Sequence, residues 1–143
     1  MSEPAATPPR RRGSPRRDPN SGARSVARRL AAQALYRLQL NEGQWKADRE
    51  YFEALVRGVW SEREQLDLRL ATWLDRKPSE LDPVEHAVLL SALWELTTRP
   101  EVPWRVTINE AVTVTRRFGA TDGHKFVNAV LDRAARELRP HEP

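Results

Sequence analysis

Apolar residues recur along this chain with the period of an α-helix. Val26, Leu30, Ala34 and Leu38 step by four and are flanked by Ala27, Ala31 and Leu35, giving one broad stripe that runs to about Leu40. Asn41-Glu42-Gly43 suits a helix stop. Phe52, Leu55, Val56 and Val59 predict a second helix, and Leu66, Leu70, Trp73 and Leu74 a third that Pro78 closes. Asp82-Pro83-Val84-Glu85 is a start signal: an N-cap acid, proline at the first helical position, and a glutamate placed to bond back to the cap. The run AVLLSALWEL (87–96) that follows is apolar nearly all round, which marks a central helix.

One segment can be read two ways. Thr107 to Thr115 alternates like a strand and is rich in β-branched residues. Ile108, Ala111, Val112, Thr115 and Phe118 nevertheless form a helical stripe that ends at Gly119. A lone strand would have no partner elsewhere in the chain, so the reading is helix. A last helix carries Val127, Val130, Leu131, Ala134 and Leu138 on one face and stops before Pro140. The fold class is all-α, with six or seven helices and no sheet.

Composition adds a tail to this picture. Residues 1–22 hold five prolines and almost nothing large and apolar, too little to offset the entropy of ordering, so a disordered arm is expected there and an ordered domain over 23–140. Residues 1–29 carry eight arginines against Glu3 and Asp18, a net charge of +6, while residues 30–143 carry sixteen Lys/Arg against eighteen acids, a net −2. Positive charge gathered at one end fits a basic arm for nucleic acid. It fits equally a solubilising tail in a chain that prefers arginine to lysine.

Little points to catalysis. No cysteine is present, which excludes disulfides and thiolate metal sites and suits a reducing compartment. The three histidines (86, 124, 141) lack metal-ligand spacing, and no glycine-rich phosphate loop occurs. No apolar run is long enough for a membrane span and no secretory signal opens the chain, so the expectation is a cytoplasmic protein. The densest mixture of polar types is DGHKFVN (122–128). Asp122 reads as the N-cap of the last helix, Phe126 as a buried or half-buried anchor, and His124 and Lys125 as solvent-facing. An exposed base and amide beside an aromatic suit RNA contact by stacking and phosphate pairing.

INEAV (108–112) followed by RRFGATDGHKFVNAVLDR (116–133) resembles the signature of the NusB family of bacterial transcription antitermination factors. AAQALYRLQL (31–40) is similar to that family's first helix and VEHAVLLSALWEL (84–96) to its central one; together the similarity spans roughly residues 24–139. The resemblance implies two small helical bundles packed together and no catalysis. It implies binding to the boxA element of nascent ribosomal RNA, jointly with the small-subunit ribosomal protein that doubles as NusE. Through that complex, RNA polymerase resists termination.

The same resemblance implies site residues. For RNA these are Arg24 and Arg28, with Arg29 adding charge beside them, and Asp122, Lys125 and Phe126 in the last motif. The family's tight arginine run is broken here by Ser25 and Val26, so Arg10–Arg12 or Arg16–Arg17 are candidates to supply the remaining phosphate contacts. For the protein partner the matching positions are Tyr36, Trp73 and Glu85; Glu85 has a rival role in the capping box. A homodimer is compatible with the resemblance. Two other classes stand beside it: an accessory of an RNA-modifying enzyme, which the absent cofactor loop disfavours, and a helical adaptor without an RNA role.

Overall fold

The computed structural model describes residues 45–143, with side chains from Arg49 onward. The arginine-proline arm (1–22) and the expected first helix to Leu40 lie outside the described residues. Within them are four α-helices, α1 (Trp45–Ala71), α2 (Pro83–Thr98), α3 (Trp104–Phe118) and α4 (Gly123–Leu138), and a 3₁₀ turn at Pro78–Glu80; no strand occurs among the described residues.

That is one helix fewer than the pattern predicts over this stretch. The expected second and third helices are one continuous α1 of 27 residues. Between the two apolar stripes lies the polar run Ser61-Glu62-Arg63-Glu64-Gln65, which carries no apolar anchor. It holds neither glycine nor proline, and most of its residues are good helix formers, so nothing interrupts the backbone ladder. Gly58, the weak point, is there for packing: a Cβ would overlap the Trp94 indole, with Cζ2 at 2.8 Å. The helix ends before Pro78, in a tightened turn where Thr72, Trp73 and Leu74 donate their N–H groups to the carbonyls of Arg69, Leu70 and Ala71.

Helix α2 begins as its sequence dictates. The Asp82 carboxylate accepts from the N–H groups of Val84 (2.9 Å) and Glu85 (3.3 Å), satisfying donors left over at the helix start. The return bond of a capping box is not made: no hydrogen bond links Glu85 to the Asp82 N–H among the described residues. Glu85 is drawn elsewhere, as shown below. From Ala87 to Leu96 every residue of α2 is buried, and this helix packs against α1, α3 and α4. Leu89 and Leu93 are fully enclosed; burial of such a side chain contributes about 1.5–3 kcal/mol.

The ambiguous segment is helical. Thr113 and Thr115 turn their hydroxyls back onto the carbonyls of Asn109 and Ala111, both at 2.8 Å, so these β-branched residues satisfy themselves within a helix. Ile108, Ala111, Val114 and Thr115 face the core, where they meet Val127, Val130, Leu131 and Ala134 of α4. Past α4, Arg139 locks the chain end to α2. Its guanidinium donates to the carbonyls of Glu95, Leu96, Arg99 and Val102 and pairs with Glu142 at 3.1 Å. No described helix is long and apolar enough to cross a membrane.

Candidate nucleic-acid interface

The exposed turn between α3 and α4 is built by two glycines with an acid between them. Gly119 ends α3, donating its N–H to the Thr115 carbonyl at 2.8 Å. Asp122 then takes a left-handed backbone (φ 64°), and among the described residues no other non-glycine does so. Aspartate tolerates this conformation better than most residues. It occupies the N-cap position of α4, yet its side chain makes no capping bond. An N-cap carboxylate reaches the first-turn N–H groups from an extended backbone; from the left-handed one it points outward. There it pairs with Lys125 at 3.3 Å, both side chains largely exposed. Such a pair contributes little to stability, but it holds the lysine ammonium.

Phe126 is half-buried against the core cluster. Arg76, from the segment after α1, places its guanidinium 5.0 Å from the centre of that ring. Arg76 also bonds Asp75 at 3.1 Å, and that hydrogen bond, with the charge behind it, holds the exposed Asp75 carboxyl below the usual carboxylate range. A second pair of the same kind lies just before the turn, where Arg117 stands 5.7 Å from the Phe118 ring. Arg116, Arg117, Lys77 and Lys125 are all exposed. The turn therefore presents cations beside aromatic rings.

Glu85 reaches the same place from α2. Its carboxylate lies over Gly123, the first residue of α4, where a Cβ would overlap Oε1 and stand 3.1 Å from Cδ. Burial raises the Glu85 pKa, Asp82 beside it raises it further, and Arg76 works in the other direction. Sequence reasoning had offered this residue two roles, a cap for its own helix or a contact for a protein partner. Its carboxylate lies against the start of α4, among the residues expected to face RNA.

The other expected positions distribute as follows. Asp122, Lys125 and Phe126 are brought together at the start of α4, joined by Glu85. Trp73 is 8% exposed and packs into the core, while its carbonyl accepts from Arg133 of α4 at 3.4 Å; the indole follows the Leu66–Leu70 stripe inward. Arg24, Arg28, Arg29 and Tyr36 lie outside the described residues. Arg76 was missed. Its partner ring is on α4, far along the chain, and nothing in the residues around Arg76 announces it.

The chain is similar in sequence and fold to known proteins. A family model described as the NusB family matches residues 25–136. The chain is 40% identical to the transcription antitermination protein NusB of Thiobacillus denitrificans, across 85% of this chain and 94% of that one. It is 47% identical to the protein of the same name from Xanthomonas campestris pv. campestris, across 83% and 84%. Among solved structures, the fold is similar to T. maritima NusB, with a TM-score of 0.65 and 26% identity over 85% of this chain and 93% of that chain.

Proposed function

The chain belongs to the NusB family of transcription antitermination proteins, and on that premise we propose that the turn into α4 is its RNA-facing surface. The observation that carries this reading is the convergence of Lys125, Phe126 and Arg76 on one exposed turn, with Asp122 and Glu85 beside them. Cations supply phosphate contacts. The Phe126 ring, braced by Arg76 and the core, offers a platform on which an unpaired base stacks.

In this reading the RNA is the boxA type of nascent ribosomal transcripts, held jointly with a NusE-type ribosomal protein within the antitermination complex of RNA polymerase. Arg24, Arg28 and Arg29, with the arginine-proline arm before them, add phosphate contacts from the N-terminal side. Tyr36 and Glu85 meet the protein partner, and Trp73 shapes that surface from within. The domain is 23–140, in two small bundles, working in the cytoplasm. The reading assigns no catalysis.

Filter binding with ribosomal leader RNA, with and without the NusE-type protein, tests it. The expected result is salt-sensitive retention of RNA that the partner strengthens. Failure to retain RNA under either condition would leave a helical adaptor as the better description.

A further inference from the structure

Asp122 stands at the N-cap of α4 without capping it. A helix start leaves several N–H groups without partners inside the helix and carries a partial positive charge. This one opens the 16-residue helix that bears Lys125 and Phe126 in its first turn. The Gly123 N–H donates to the Ala120 carbonyl at 3.0 Å, and the Glu85 carboxylate is seated where a side chain at Gly123 would begin. Gly123 is itself buried, so the carboxylate sits in a space that exists only because position 123 has no Cβ. The return bond to Asp82 that would have kept Glu85 on its own helix is absent among the described residues.

We propose that Glu85 is the positioning residue of the RNA-facing turn, packing from the neighbouring helix against Gly123 at the start of α4, where Asp122 makes no side-chain cap. This rests on the reading of that turn as the RNA surface. Glu85 acts through the direction in which Lys125 and Phe126 are presented, and it needs no contact with RNA. The carboxylate is held against the cost of burial and the repulsion of Asp82, so global stability alone does not explain its placement. A surface ordered beforehand binds with less ordering to do on contact.

Two substitutions disturb this contact by different routes. Glu85→Ala deletes the carboxylate. Gly123→Ala adds a methyl that displaces it while favouring helix at that position, so this variant folds. Each should weaken RNA affinity about two- to tenfold, the range that ordering one more side chain on binding costs. Because both remove one contact, the double variant should be no weaker than either single one. Thermal melts of all three should match or exceed wild type, which separates positioning from support of the fold.

Higher affinity in Glu85→Ala would overturn the proposal, since the acid would then act only by repelling phosphate. Additive losses in the double variant would overturn it as well. Lys125→Ala, measured alongside, separates the two levels of the account. If it weakens binding while Glu85→Ala and Gly123→Ala leave affinity unchanged, the positioning role alone is wrong. If Lys125→Ala is also silent, the turn is not the RNA surface and both readings fall.

Discussion

The guanidinium of Arg76 lies 5.0 Å from the centre of the Phe126 ring, so the segment after α1 is pinned to the first turn of α4. A contact of this kind contributes about 0.5–1 kcal/mol at an exposed site. The ring meets the cation and packs against the core, and it stays half-exposed.

Phe126 therefore has two jobs that a pair of substitutions pulls apart. Phe126→Leu keeps apolar volume against the core and should melt within a few degrees of wild type. It should lose about 1–3 kcal/mol of RNA affinity, the worth of a stacking partner. Phe126→Ala should lose that affinity and also about 2 kcal/mol of stability through the cavity it leaves. Calorimetry and RNA titration on both variants check this; unchanged affinity in Phe126→Leu would reduce the ring to a packing element.

Asp122 bonds Lys125 at 3.3 Å and puts negative charge where phosphate would approach. Asparagine tolerates the left-handed backbone as readily. Asp122→Asn should fold normally and bind RNA as well as wild type or better, with the lysine released. Asp122→Ala should melt lower, because alanine is strained at φ 64°. Loss of RNA binding in a well-folded Asp122→Asn protein would mean that the acid reads a base.

The pH dependence of stability follows from the Glu85 environment. Burial chiefly, then Asp82, raises its pKa above the ordinary 4.5, with Arg76 opposing. A carboxyl raised on folding contributes stability that is fully present below the unfolded value and lost as pH rises through the folded one. Glu85→Gln removes this loss. The variant should melt above wild type at pH 7, and the gap should close below about pH 4.5. A Gln variant that melts lower at pH 7 would show the anion to be net stabilising.

Arg139 makes the clearest stability prediction. It is nearly buried and holds four carbonyls at and beyond the end of α2 together with Glu142. Arg139→Ala leaves these acceptors unsatisfied and should cost about 3 kcal/mol by denaturant titration. RNA affinity of the folded fraction should be unchanged, because α4 separates the two ends.

How much of this was legible in the sequence depended on how local the cause was. The start at Asp82-Pro83 and the stop at Gly119 are written in neighbouring residues, and the structure follows them. The apolar period located α2 and α4 for the same reason. The break expected between Val59 and Leu66 failed because a lack of apolar anchors was taken for a lack of helix, whereas propensity carries α1 through. At the site, residue type marked Asp122 as an N-cap, but its backbone conformation, which turns the carboxylate outward, has no signature in DGHKFVN. The Glu85–Gly123 and Arg76–Phe126 contacts join segments far apart in the chain. Only the packing of α1, α2 and α4 creates them.

Ultraviolet crosslinking of this protein, together with the proposed NusE-type partner, to ribosomal leader RNA, followed by peptide mapping, tests the central claim most directly. The account predicts crosslinks in the peptide that carries Phe126, with others from the arginines before residue 30. The other end of α4, near Trp104 and Arg136, lies about 20 Å away at 1.5 Å per residue. Crosslinks confined to that end, with none at 122–126, would contradict the account.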